Sequence, residues 1–151
     1  MKYTFRFPFY LHTIMNDLYI KEQVESNEYM IGRIANQGLH IPTPEIIYYN
    51  STCKVMIMTK IHQCSVADYY GDEDNKTPDE VYIKIRKIIS DLLVVGISYP
   101  DITGYNFIED NNGKVWIIDF GHASVNAPNK MVDTFITKFL NGHNGWNPEF
   151  K

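Results

Sequence analysis

Asp101, Asn106 and the tripeptide Asp119-Phe120-Gly121 stand on either side of two short apolar runs joined by Asn112-Gly113. Asn-Gly between apolar runs is a strong short-range signal for a β-hairpin, because both residues accept the backbone twist of a tight reversal. Such a hairpin carries the side-chain oxygens of Asp101 and Asn106, at its entry, to the same edge as the Asp119 carboxylate at its exit. The segment feeding it is equally constrained. Val81, Ile85, Ile88, Leu92 and Val95 recur at steps of four and three, the stripe of a helix with one buried face, and Gly96 ends it. Thr77-Pro78-Asp79-Glu80 reads as that helix's start, with Thr77 as cap, Pro78 in the first turn and Glu80 completing a capping box.

The first 60 residues alternate differently. Strands are expected over residues 9–14 and 18–23 around a turn at Asn16-Asp17, and again over 45–49 and 54–59. Between them Met30, Ile31, Ile34 and Ala35 share one face of a helix over 26–37 that Gly38 stops, after which Pro42 and Pro44 force an extended path. A last helix is expected over 131–140, closed by Asn141-Gly142. The pattern is α+β, and 151 residues suffice for one compact domain or two small lobes sharing a boundary.

Composition excludes several functions. Only three of the 14 basic residues are Arg, against 18 acidic ones and a net charge of −4, which is a poor basis for gripping a nucleic-acid backbone unaided. No apolar run approaches the roughly 18 residues of a membrane span, and the aromatic start lacks the features of a signal peptide. Cys53 and Cys64 cannot build a disulfide framework or a zinc site, so a reducing, cytoplasmic setting is expected. His12, His40, His62, His122 and His143 show no ligand spacing and read as packed or surface residues, although His122 follows Gly121 directly. The acidic loop around Asp72-Glu73-Asp74 reads as a solvated connector.

Two carboxylates and an amide oxygen gathered at one hairpin edge suit phosphoryl transfer. That chemistry needs hard oxygen ligands for Mg²⁺ and a carboxylate beside the attacking hydroxyl. Asp101 and Asp119 lie 18 residues apart, with Asp-x₄-Asn before the hairpin and Asp-Phe-Gly after it. In this combination the chain resembles the protein-kinase-like superfamily, with Asp101 matching the catalytic-loop aspartate, Asn106 the metal-binding asparagine and Asp119 the second metal ligand. The loop Asp101-Ile102-Thr103-Gly104-Tyr105-Asn106 is similar to that of small atypical kinases, above all the kinase subunit of the KEOPS (EKC) tRNA-modification complex. Gly38-Leu39-His40-Ile41-Pro42-Thr43-Pro44, the strand around Val55-Met56-Ile57-Met58-Thr59-Lys60-Ile61 and the segment Asn129-Lys130-Met131-Val132-Asp133-Thr134-Phe135 carry the same resemblance.

The resemblance implies a minimal bilobal fold, with an N-lobe over residues 1–60 and a helical C-lobe over 61–151. It implies ATP and Mg²⁺ as cofactors and an atypical serine/threonine kinase or ATPase activity. Lys21 would grip the α- and β-phosphates, with Glu28 as its ion-pair partner and Glu25, one turn earlier, as the rival. Met58, Thr59, Lys60 and Ile61 would line the adenine site. Asn106 and Asp119 would hold the metal, Asp101 would serve the acceptor hydroxyl of a protein or small molecule, and Asp133 would brace the catalytic loop. A protein partner subunit is possible on the same grounds.

The missing glycine loop, Tyr99, Pro100 and the small size keep a second reading open, a pseudokinase that binds nucleotide or protein. The C-terminal sequence departs from the relatives' tail and bears on tRNA and the partner subunit instead. No glycine precedes Lys21, so a phosphate-covering loop would come from residues 7–17 without one. Tyr99 replaces the usual His two residues before Asp101, leaving Tyr99 to pack beneath the Asp-Phe-Gly turn, and Pro100 replaces Arg or Gly. The basic tail of the atypical relatives is not matched by Gly145-Trp146-Asn147-Pro148-Glu149-Phe150-Lys151.

Overall fold

The computed structural model describes residues 16–125 and 133–151. In chain order its elements are β1 (Leu18–Lys21), α1 (Ser26–Arg33), β2 (Ile46–Asn50), β3 (Val55–Thr59), α2 (Val66–Tyr70), α3 (Asp79–Val94), β4 (Ile97–Ser98), β5 (Phe107–Glu109), β6 (Val115–Ile117), β7 (Ser124–Val125) and α4 (Thr134–Leu140). The expected strand over 9–14, the proposed phosphate cover up to Met15, and the start of the last helix at Met131 and Val132 lie outside the described residues.

The first lobe is an antiparallel sheet in the order β1-β3-β2 with α1 against it. In the central strand Met56 and Met58 turn inward and form a small core with Val24. Register sets Lys21 opposite Met56 and Tyr19 opposite Met58, so Lys21 shares the inner face of the sheet with them. α1 ties the two lobes together, because Ile31 and the following Ala35 belong to the larger core built by α3, α4 and the β5–β6 hairpin. The helix widens into a π-type turn over Ile34–Gly38 rather than remaining α-helical to Gln37. Its carbonyls there reach longer-range donors: Ile34 O accepts from Leu39 N at 3.0 Å, and Ala35 O from Ile41 N at 2.9 Å.

α3 is the axis of the second lobe. Val81, Tyr82, Ile85, Ile88, Ile89 and Leu92 are buried along one face, each contributing about 1.5–3 kcal/mol through burial. Val95 is exposed, since the helix has already unwound there towards Gly96, whose φ is +80°. Thr77 does not cap α3. Pro78 occupies the cap position with no side-chain cap bond, and its carbonyl receives Val81 N at 3.0 Å. Phe107 pairs with Ile117 and Glu109 with Val115 across β5–β6, as the Asn-Gly signal requires. The result is an α+β fold of two unequal lobes with a reduced helical lobe. Among the described residues no helix is long and apolar enough to cross a membrane.

Candidate active site

The chain enters the hairpin through a tightly knotted loop. Ile102 N donates to Pro100 O at 2.8 Å, Thr103 N to Asp101 O at 3.0 Å and Asn106 N to Thr103 O at 3.2 Å. Asn106 also sends its side-chain Nδ2 to Asp101 O at 3.0 Å, which leaves its Oδ1 as the outward-acting atom. Gly104 makes this knot possible. A Cβ there would lie 2.9 Å from Ala67 Cβ and 3.1 Å from both Ala67 N and Trp146 Cζ2. At the far side Ile118 N donates to Asn106 O at 3.1 Å, so Asn106, just before β5, and Asp119, just after β6, stand at the same end of the hairpin.

Lys21 meets this edge from the other lobe. Its ammonium donates to Glu28 Oε1 at 2.5 Å and to Asp119 Oδ1 at 2.9 Å. Gly121 N adds a further donor to the same Asp119 oxygen, at 2.7 Å. Burial pulls the Lys21 pKa down, but hydrogen bonds to Glu28 and Asp119 outweigh it and hold the ammonium above its usual range. Burial raises Glu28, opposed by the Lys21 hydrogen bond and assisted by the neighbouring Asp119 charge. Glu25 is excluded from the pair by backbone geometry. It is the N-cap of α1 with extended φ −81° and ψ 154°, off the helical face, and it binds Lys54 at 2.6 Å.

Tyr99 occupies the space under the Asp119 turn. Its ring is buried, lies edge-on to Phe107 and Phe120, and its hydroxyl donates to the Asp119 backbone carbonyl at 2.6 Å. Burial pushes the phenol pKa well above 10, so the hydroxyl remains a donor. Asp133 does not brace the catalytic loop. It caps α4, accepting from Phe135 N at 2.8 Å and Ile136 N at 3.1 Å. The brace is Asn147, only 1% exposed, whose Nδ2 donates to Pro100 O at 2.7 Å and whose backbone N donates to Ile102 O at 2.9 Å. Nothing in the local pattern around Trp146-Asn147 signalled this, apart from the polar residue before Pro148.

Met58, Thr59, Lys60 and Ile61 line one open cleft of about 230 Å³ together with Tyr19, Pro44, Ile108 and Ile118. A larger cavity of about 500 Å³ lies away from this edge, beside α2 and the Asp110–Gly113 turn. The Lys21 ammonium is shared by two carboxylates, Glu28 and Asp119, whereas the Asp101 carboxylate lies against His122. No group of three or more His, Cys, Asp or Glu among the described residues is arranged to cage a metal by itself. Two hard oxygen donors side by side, Asp119 and the free Oδ1 of Asn106, fit Mg²⁺, which takes few protein ligands and completes its shell with water and phosphate oxygens.

This fold and this edge define a domain of the atypical protein-kinase-like class. The RIO domain profile matches residues 1–139, and the chain belongs to that family. Among solved structures it is similar to the kinase PK-1 of the Cydia pomonella granulovirus, at 13% identity and a TM-score of 0.55. The likeness covers 77% of this chain and 46% of that one, so the chain spans less than half of that neighbour, and at this identity it concerns the fold. No match is found among curated proteins.

Proposed function

We propose that the chain is a Mg²⁺-dependent phosphotransferase or ATPase of the atypical serine/threonine-kinase type. The observation that carries this reading is the Lys21 ammonium held between Glu28 and Asp119, from opposite lobes, beside the Asp101–Asn106 knot. The adenine ring would lie in the cleft lined by Met58–Ile61, whose mixed apolar walls suit a flat heterocycle. Lys60 N is already bonded to Asp17 O at 2.8 Å, which leaves the backbone of Ile61 to meet the base. Lys21 neutralises phosphate charge and Glu28 keeps its side chain extended across the cleft. Asp119 and Asn106 would hold the metal, whose contribution when bound is to offset charge on the phosphate oxygens. Asp101 orients the acceptor hydroxyl and takes its proton as the γ-phosphoryl group leaves ADP for the acceptor oxygen.

A cytoplasmic setting and a partner subunit, by analogy with the KEOPS kinase subunit that the catalytic loop resembles, belong to the same proposal. γ-Phosphate release and self-transfer from ATP with Mg²⁺ test it, with Asp101→Asn and Asp119→Ala alongside. Turnover lost in both variants supports the assignment. Turnover that survives Asp119→Ala removes the metal role, and nucleotide binding without turnover in the native chain returns the pseudokinase reading.

A further inference from the structure

We infer that His122 is a positioning residue for Asp101, an assignment that rests on the catalytic role proposed for Asp101. His122 Nδ1 lies 2.8 Å from Asp101 Oδ2. A carboxylate can only accept, so the imidazole donates from Nδ1 and its Nε2 is the unprotonated nitrogen when the ring is neutral. One carboxylate oxygen is thereby fixed, and Oδ1 is the one left to face an acceptor hydroxyl. The Asp101 side chain is 15% exposed, enough for one oxygen to be reached from solvent.

The backbone that carries the ring is fixed, and one aromatic neighbour packs against the ring itself. Behind it, Ala123 N closes a turn on Phe120 O at 3.0 Å, and Asn27 Nδ2 from α1 donates to Ala123 O at 3.1 Å. In front, the imidazole packs on Phe150 with ring centroids 5.1 Å apart. Phe150 sits in the short turn Pro148–Phe150, whose cap is the same Asn147 that grips Pro100. His122 thus joins the two arms of the site. The Asp119–Gly121 turn that sets the metal carboxylate continues directly into the donor that sets the catalytic one. A carboxylate free to rotate loses its alignment with the hydroxyl, and misplacement of that order costs about a hundredfold in rate.

The test compares the full chain with His122→Ala, His122→Asn and Asp101→Asn. Mg²⁺-ATP turnover, ATP affinity by calorimetry and the ¹⁵N shifts of the His122 imidazole are measured. His122→Ala is expected to lower kcat about ten- to a hundredfold with ATP affinity unchanged. Asn, whose amide nitrogen can stand where Nδ1 stood, is expected to recover much of that loss, which a purely steric role would not produce. The imidazole should be the Nδ1–H tautomer in the native chain and lose that preference in Asp101→Asn. Equal or higher turnover in His122→Ala overturns the inference and makes the contact a block rather than a support. So does an Nε2–H tautomer in the native chain. Turnover that is insensitive to Asp101→Asn sinks the proposed function instead, while the tautomer still reads the His122–Asp101 contact.

Discussion

Tyr99→Phe removes one oxygen from the interior and little else. The ring keeps its edge-on neighbours Phe107 and Phe120, so the variant isolates the 2.6 Å bond to the Asp119 carbonyl. That carbonyl is then left under a buried phenyl ring, and a buried acceptor without its donor costs about 1–3 kcal/mol. A central loss of about 2 kcal/mol lowers the melting temperature of a chain this size by about 4–8 °C. Urea unfolding followed by fluorescence gives the free energy directly. The midpoint should fall with the slope unchanged, because the surface exposed on unfolding is the same. The consequence for the site is separable from stability. With its carbonyl untethered the Asp119 carboxylate is less fixed, so the Mg²⁺ concentration for half-maximal turnover should rise, measured well below the variant's melting range. A loss under about 0.5 kcal/mol, the scatter of ordinary surface changes, together with an unaltered Mg²⁺ requirement, would refute the reasoning.

Three further changes probe other parts of the same edge. Lys21→Met should weaken ATP binding and destabilise the fold, since Glu28 stays buried without its cation. The native Lys21 pKa is raised, so its stabilisation is complete below the unfolded value of about 10.4 and is lost as pH rises through the folded one. The stability gap between native and variant chains should therefore narrow as pH rises through the alkaline range, by denaturant titration. Gly104→Ala should cost about 1–3 kcal/mol through its approach to Ala67 and Trp146, and adding Ala67→Gly should return part of it in both stability and turnover. Asn147→Ala strips the side-chain bond to Pro100 and should lower stability by about 1–3 kcal/mol and kcat with it, leaving ATP affinity intact by calorimetry.

Legibility in the sequence followed the range of the interaction. The β5–β6 hairpin, the α3 stripe and the strand carrying Met56 and Met58 are local patterns, set by turn chemistry and periodicity, and the structure contains all three. Ends were less legible than middles. Thr77 had the composition of a cap, yet the chain turns one residue later at Pro78, and α1 loosens into a π-type turn where spacing alone predicted a regular helix. The choice between Glu25 and Glu28 needed the backbone, because helical spacing says nothing about a residue that is still extended at the cap. Asp133 carried the opposite lesson, a cap that a resemblance had recast as a brace. Asn147 and His122 had only faint local signals, a polar residue before Pro148 and a histidine directly after Gly121. Their partners lie 47 and 21 residues away, and only the folded chain brings them together.

Those two long-range contacts bear on how so small a helical lobe can hold the Asp101–Asn106 loop still. Asp101 is constrained at its own carbonyl by Asn106 and at its carboxylate by His122, while Asn147 fixes the residues on either side of it. Each restraint comes from a different stretch of chain, so the loop is stiffened by convergence rather than by a surrounding mass of helices. A consequence is that rigidity of the loop and stability of the fold share Asn147 and Tyr99. Changes there should lower both together, whereas changes along the Met58–Ile61 cleft should affect nucleotide binding with the loop intact. His122 is the member that separates the two. Its side chain is 63% exposed, so its removal sacrifices little packing, and a rate loss in His122→Ala without a matching stability loss isolates alignment of Asp101 as the quantity that the contact controls.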